Sequence, residues 1–99
     1  MKAKIAVAKF VKQDLKEATS WYNKAREGLG LLLLKEVNEK VIQISENPLA
    51  YETKYSNIRV AFTQKFPYGI HFEFLEDQNQ IIILAVLNTS VNPQIWMDR

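Results

Sequence analysis

The side chains best suited to chemistry lie close together within residues 58–74, IRVAFTQKFPYGIHFEF. Arg59 and Lys65 are cations of the kind that bind phosphate, and Tyr68 and His71 can transfer a proton. His71 is also the single histidine of the chain. Such a set would serve for cleavage of RNA at a 2′-hydroxyl or for binding of an acidic peptide. Arg59, Lys65 and His71 are therefore the catalytic candidates.

Each of these residues also has a purely structural interpretation. Arg59 can pair with Glu73 across two neighbouring strands, which is a common surface contact. His71 can be a solvated strand residue, and Tyr68 can pack at the turn that contains Pro67. The sequence alone leaves both interpretations open.

Composition excludes several other kinds of site. The chain has no cysteine, which rules out disulfides, thiol nucleophiles and thiolate metal sites. One histidine does not suffice for an ordinary zinc site, and Gly28 and Gly30 form no phosphate-binding or dinucleotide pattern. We expect no cofactor. The net charge of +2 permits contact with nucleic acid without indicating it.

The apolar segments are too short for a signal peptide or a membrane span. The first residues, MKAKIAVAKF, lack a long apolar core, and LGLLLL is far shorter than a transmembrane helix. The sequence therefore predicts a soluble cytoplasmic protein without a membrane partner.

Hydrophobic periodicity predicts the elements that position the candidate residues. Apolar residues at helical spacing indicate a helix that begins near Asp14 and a second helix that ends at ENP, with EGLG between them. Trp21 and Tyr22 are expected to pack in the core or between these helices. Pro93, with Asn92 as its cap, predicts a short final helix. Strands are expected at residues 4–10, 58–63, 70–75 and 81–87, the last central because it is apolar on both faces.

These elements predict a single α+β domain over residues 1–99, in the order β-α-α-β-β-β. A helical hairpin would pack on one face of an antiparallel sheet. Alternation in the strands predicts which side chains face the helices. Arg59 and His71 would then share the exposed face. The expected inward set is Ile58, Val60, Phe62, Ile70, Phe72 and Phe74.

Four segments carry a resemblance that covers nearly the whole chain: DLKEATSWYNKAREGLG, ISENPLAY, IRVAFTQKFPYGIHFEF and ILAVLNTSVNPQIWMDR. They resemble the RelE/ParE toxin superfamily, in particular its plasmid-stabilisation branch. The resemblance implies a helical hairpin on a curved antiparallel sheet. It also implies the toxin of a type II toxin–antitoxin pair, with an antitoxin as its partner. RelE-type members cleave mRNA in the ribosome, whereas ParE-type members poison DNA gyrase.

The resemblance carries over unevenly to single residues. Arg59 matches the Arg before the hairpin, and KFPY at residues 65–68 matches without change. Asn88 and Val91 stand where the branch usually has a His and, three residues on, an Arg. Because RelE-type cleavage depends on a basic cluster, this departure favours a ParE-like role in which the toxin binds a protein target.

Two other functions remain alternatives. One is a metal-independent endoribonuclease of the RelE type that uses Arg59, Lys65 and His71. The other is a degenerate member that only binds antitoxin. For contact with a partner, the candidates are Arg59, Lys65, Tyr68 and Trp96, of which Trp96 could instead close the end of the sheet.

Overall fold

A computed structural model of the protein, which describes residues 2–92, shows two helices on one face of a five-stranded sheet. Two short 3₁₀ turns, Pro48–Ala50 and Glu76–Gln78, complete the connections. The elements in chain order are β1 Lys4–Val7, α1 Val11–Ala25, α2 Leu29–Glu46, β2 Thr53–Tyr55, β3 Ile58–Phe62, β4 Tyr68–Leu75 and β5 Gln80–Asn88.

The sheet has the strand order β1-β5-β4-β3-β2. β5 pairs with β1 on one side and with β4 on the other, so it is an interior strand as predicted, although β4 is the middle strand of the five. The α+β architecture of a helical hairpin on a sheet is likewise confirmed. The sheet is mixed rather than purely antiparallel, because β1 runs parallel to β5. Two helices lie between β1 and the rest of the sheet, and such a long connection allows parallel pairing.

One strand was not predicted from the sequence. β2 lies in the segment LAYETKYSN, which reads as a connector, and it pairs with β3 through a tight turn at Ser56 and Asn57. Three residues are too few to show a period of two. The predicted final helix at Pro93 lies outside the described residues.

The predicted orientation of β4 is right and that of β3 is wrong. Ile70 and Phe72 of β4 are fully buried in the core with α2. In β3, however, it is Ala61 that lies opposite Ile70, and Arg59 that lies opposite Phe72. The core face of β3 thus carries Arg59 and Ala61, because directly opposed residues share a face. Ile58, Val60 and Phe62 point to the other face.

The turn between β3 and β4 explains this register. The Thr63 N–H donates to the Tyr68 carbonyl at 3.0 Å, and the Thr63 hydroxyl donates to the Phe66 carbonyl. The Tyr68 N–H in turn donates to the Thr63 hydroxyl oxygen at 3.2 Å. Thr63 is therefore paired with Tyr68 on the core side, and every residue of β3 follows from that pairing.

A bulge in β5 keeps its apolar residues on the core side. His71 pairs with Ala85 but Phe72 pairs with Ile83, so Leu84 is the extra residue. Because of this insertion, Val86 faces the core together with Ile83, although the two are three residues apart. Ala85 lies on the opposite face of β5, next to His71.

The helices of the hairpin meet at a glycine. The Gly30 N–H donates to the Asn23 side-chain oxygen at 2.8 Å, and a Cβ at residue 30 would lie 2.7 Å from the Thr19 carbonyl oxygen. Gly28, at φ +91°, precedes α2 as its N-cap in a backbone conformation that favours glycine. Trp21 does not pack in this hairpin as predicted, since 65% of its side-chain surface is exposed. Within residues 2–92 no helix is long and apolar enough to cross a bilayer.

Candidate functional site

A cleft of about 590 Å³ lies on the outer face of the sheet, which is the face that points away from α1 and α2. Val60, Phe62, Gly69 and His71 contribute to its floor. Phe62 is 51% exposed there. The volume of the cleft is in the range of ligand-binding pockets. The described residues that line its rim are Lys54, Tyr55, Ser56, Leu87, Asn88, Thr89, Val91 and Asn92.

His71 and Tyr55 form a hydrogen-bonded pair in this cleft. The Tyr55 hydroxyl and the His71 Nδ1 are 2.7 Å apart, and the two rings are tilted with centroids separated by 5.8 Å. His71 is only 8% exposed, so it is not the solvated strand residue of the structural interpretation. Hydrogen bonding through Nδ1 fixes the orientation of the imidazole ring.

Burial lowers the pKa of His71 below its ordinary value of 6.5, and the charge of Asp14 partly opposes this by raising it. Desolvation disfavours the imidazolium form, which is why burial dominates. His71 is therefore largely neutral at pH 7, the form in which an imidazole nitrogen can accept a proton.

Gly69 and Phe62 shape the floor next to His71. The two residues are directly opposed on β4 and β3. A Cβ on Gly69 would lie 3.0 Å from the Val60 Cγ1 and 3.6 Å from the His71 Nε2. The absence of a side chain at residue 69 thus lets Val60 and the imidazole sit side by side.

The structure does not bring the three catalytic candidates together. Arg59 lies on the core side of β3, where its Nη1 donates to the Tyr51 carbonyl oxygen. His71 lies on the outer face of β4. Strand alternation also separates Arg59 from Glu73, which faces outward next to Ile82, so the proposed cross-strand pair does not form.

Lys65 stands at the β3–β4 turn, away from the cleft. Its backbone N–H donates to the Glu36 Oε1 at 2.9 Å, and the Phe66 N–H reaches the same oxygen at 3.4 Å. Phe66 is buried against the Tyr22 ring, with centroids 5.0 Å apart. In this structure the KFPY motif at residues 65–68 therefore packs the turn against the helices. The Lys65 side chain is exposed.

Of the other two partner-binding candidates, Tyr68 is 8% exposed and belongs to the core. Burial raises its pKa, the charge of Tyr22 adds to the rise, and a hydrogen bond to the Asn88 side chain opposes it. The burial of Tyr68 agrees with its structural interpretation as a residue that packs at the turn. Trp96 lies outside the described residues.

Sequence reasoning missed Tyr55. It lies in the segment interpreted as a connector, and its partner His71 follows 16 residues later. The one available sequence signal is the second tyrosine of LAYETKYSN, because the tight turn at Ser56 and Asn57 that folds β2 onto β3 is visible only in the structure. Among residues 2–92 no group of three or more His, Asp or Glu side chains could hold a metal ion.

Comparison with known proteins identifies the family. The profile of the ParE toxin of the type II toxin–antitoxin system parDE matches residues 5–93. The chain belongs to the ParE toxin family. Among curated proteins no sequence matches it.

Two solved structures have folds similar to that of this ParE-type toxin. The chromosomal ParDE system from P. aeruginosa superposes with a TM-score of 0.76 at 13% identity, covering 88% of this chain and 96% of that one. The toxin–antitoxin complex RelBE2 from Mycobacterium tuberculosis gives a TM-score of 0.59 at 11% identity, covering 89% and 99%. At such identities the likeness establishes the fold alone.

In this ParE-type toxin, Asn88 and Val91 both line the cleft. The Asn88 side-chain oxygen accepts from the Ser90 N–H at 3.0 Å and from the Ser90 hydroxyl at 2.9 Å. The Asn88 carbonyl accepts from the Val91 N–H at 2.9 Å. The two positions at which the plasmid-stabilisation pattern has a His and an Arg thus hold an amide that organises a turn and an aliphatic side chain.

Proposed function

We propose that this ParE-type toxin arrests growth by binding a protein target through the outer-face cleft, without cleaving RNA. The observation that carries the proposal is the separation of the two candidate cations, Arg59 and Lys65, from His71. Arg59 binds the Tyr51 carbonyl on the core side of the sheet. Metal-independent cleavage needs cations that stabilise the charged transition state beside the proton acceptor.

The composition of the cleft supports a protein target. Phe62 presents a half-exposed ring, and Leu87 and Val91 add apolar surface. Lys54 is the one cationic side chain among the described lining residues. Its Nζ lies 3.5 Å from the Glu52 Oε2, so the two form an ion pair. Exposed aromatic residues surrounded by polar groups are typical of protein interfaces.

An antitoxin is the second partner in this proposal. The two similar structures are both toxin–antitoxin systems, and family membership makes a neutralising antitoxin the expected partner. Exposed Lys65 remains a candidate for contact with its acidic residues. The proposed site of action of both chains is the cytoplasm.

Induction of the toxin in cells, with primer extension on abundant transcripts, tests the mode of action. The expected result is growth arrest without codon-positioned cuts, equal for wild type and Arg59→Ala as long as both are folded by circular dichroism. Cuts that disappear in His71→Gln would contradict the proposal. DNA-damage signalling during arrest would identify a gyrase-type target, and arrest without it would indicate another protein. No arrest would leave the chain as an antitoxin-binding member only.

Co-expression with the adjacent small reading frame tests the antitoxin. The expected result is a stable complex after affinity purification, together with relief of arrest. Recovery of two folded chains that do not associate would contradict this part of the proposal.

The alternative of a RelE-like ribosome-dependent endoribonuclease is favoured by one observation. Tyr55 orients a largely neutral His71 inside a cleft, which is an arrangement suited to proton transfer. The same primer-extension experiment decides between the two functions.

A further inference from the structure

β1 is an edge strand, and one of its sides has no strand partner among residues 2–92. Its other side pairs with β5, and the Lys4 N–H donates in that direction to the Asn79 carbonyl at 2.9 Å. Successive residues of a strand direct their backbone groups to opposite sides. The N–H and carbonyl groups of Ile5 and Val7 therefore point away from the sheet, where they form a template for another strand.

The side chains of Ile5 and Val7 continue the core without being covered. Ile5 pairs with Ile81 and Val7 with Ile83, and both isoleucines of β5 are buried in the core. Ile5 is nevertheless 45% exposed and Val7 59% exposed. Because paired residues of neighbouring strands lie on the same face, the core face of the sheet ends at β1 with two exposed aliphatic side chains.

The open edge of β1 is complementary to itself. In an antiparallel pair of two copies with a two-fold axis at Ala6, Ile5 of each copy lies opposite Val7 of the other. Residues opposed in this way exchange both of their hydrogen bonds, so the pairing uses every outward group of these two residues. Their aliphatic side chains meet on the core face. On the outer face, Lys4 lies opposite Ala8 and not opposite another lysine.

The beginning of β1 lies next to negative charge. The Ala3 N–H donates to the Ser45 carbonyl at 2.7 Å, which places this end beside the last turn of α2. That turn has no basic residue, and its Glu46 forms an exposed ion pair with Lys2 at 3.9 Å. The acidic 3₁₀ turn Glu76–Gln78 comes shortly before β5 at the same end. The C-terminus of a helix favours cations, so this end of β1 is suited to an incoming lysine.

The other end of β1 is basic. Lys9 lies in the connection to α1 and Lys12 in the first turn of α1, and both are exposed. The acidic residue of that turn, Asp14, is buried and bonds to the Val86 N–H. Antiparallel pairing brings the basic end of each copy to the last turn of α2 in the other. The charges therefore favour a second copy of the chain as the occupant of this edge.

We propose that two copies of this chain associate through β1, edge to edge and antiparallel, with Ile5 opposite Val7. The two sheets form one continuous sheet whose helices lie on the same face. β1 is at the opposite edge of the sheet from β2, which supplies Tyr55 to the outer-face cleft. The inference therefore holds whichever target the toxin has.

Sedimentation equilibrium of the purified toxin over a range of concentrations tests the association. One short strand from each copy makes a small interface, for which we expect a dissociation constant of about 10 µM to 1 mM. The apparent mass should rise from the 11.5 kDa of one chain towards twice that value as concentration increases through this range.

Amide hydrogen exchange measured by NMR on the same samples locates the interface. The N–H groups of Ile5 and Val7 should be protected at high concentration and exchange freely at low concentration. The N–H groups of Lys4 and Ala8 bond to the other side of β1 and should be protected throughout. This difference within one strand is specific to pairing at the open edge.

Matched variants test the apolar contact and the charges. Val7→Lys should raise the dissociation constant at least about tenfold, because it places a charge against Ile5, whereas Leu31→Lys on α2 should leave it unchanged. Lys9→Glu should weaken association about twofold to fivefold, as expected for an exposed ion pair. Adding Glu46→Lys to the same chain should restore it. Melting temperatures confirm that each variant folds.

Three outcomes would overturn the inference. The first is the mass of one chain at every concentration. The second is association that leaves the Ile5 and Val7 amides unprotected, which would place the interface elsewhere. The third is protection of these two amides in the monomer, which would assign the edge to another segment of the same chain.

Discussion

At the scale of single residues, His71 makes stability depend on pH. Burial lowers its pKa in the folded protein below the ordinary value of 6.5, despite the opposing charge of Asp14. The unfolded chain therefore binds this proton more readily than the folded one, and stability rises with pH in this range. The contribution is present above the unfolded pKa and is lost as pH falls below it.

We predict that the free energy of unfolding decreases as pH is lowered from about 7.5 to about 5.5, near and below the ordinary histidine pKa. His71→Gln should flatten this dependence, since the chain has no other histidine. Denaturant unfolding at a series of pH values measures it, and the imidazole titration by NMR supplies the folded pKa. A His71→Gln variant with the slope of the wild type would show that other groups cause the dependence.

Alanine substitution of Phe72 and of Phe62 tests which face of β3 and β4 points to the core. Phe72 is fully buried and contacts the Tyr51 ring edge-on, whereas Phe62 is 51% exposed on the outer face. Phe72→Ala should cost about 3–5 kcal/mol of unfolding free energy. Phe62→Ala should cost about 1 kcal/mol or less. Equal losses in denaturant melts would contradict the orientation of β3 described here.

At the scale of elements, the helical hairpin depends on a close approach at Gly30. A Cβ there would lie 2.7 Å from the Thr19 carbonyl oxygen and 2.8 Å from both polar atoms of the Asn23 side chain. The contact to Thr19 involves backbone, which cannot rotate away. α1 and α2 would have to separate to admit a methyl group.

Gly30→Ala should therefore destabilise the protein by about 1–3 kcal/mol, although alanine favours a helix more than glycine does. Gly28→Asn is the matched control, because nothing lies within 4 Å of a Cβ there and asparagine tolerates positive φ. Its cost should be smaller, and chemical denaturation of both variants gives the comparison. A stabilised Gly30→Ala protein would show that the helices can move apart freely.

The elements also show where sequence reasoning succeeds. Both helices, the interior strand β5 and the buried face of β4 follow from long periodic patterns, which local sequence determines well. The face of β3 does not, because each of its two faces carries apolar residues, Ala61 on one and Val60 on the other. A four-residue turn between Thr63 and Tyr68, with its hydrogen bonds, decides between them, and periodicity alone gives no access to such bonds.

The candidate site was predicted only in part for the same reason. His71 does line the cleft, but its hydrogen-bond partner Tyr55 comes from a strand too short to recognise. Arg59 was assigned to the wrong face together with the rest of β3. Tertiary pairing therefore decides which polar residues meet, even where every residue type is known.

At the scale of the whole molecule, the two faces of the sheet have separate roles. One face holds the buried core with α1 and α2, and the other carries the cleft with Phe62 and His71. Substitution of an exposed residue on the outer face, such as Phe62, should therefore affect binding with little effect on stability. The other exposed apolar residues supply controls of similar size elsewhere on the surface.

We predict that Phe62→Ala reduces growth arrest by the induced toxin, whereas Leu31→Ala does not. Leu31 lies on α2 and is 70% exposed, so its loss also removes surface apolar area, but far from the cleft. The measurement is colony formation on induction, with toxin levels and melting temperatures matched between variants. The physical reason is that an aromatic residue at the centre of an interface can cost about 2 kcal/mol or more of binding free energy when truncated, which raises Kd more than tenfold. If Leu31→Ala abolished arrest and Phe62→Ala left it intact, the target would bind the helical layer, and the proposed role of the outer-face cleft would be wrong.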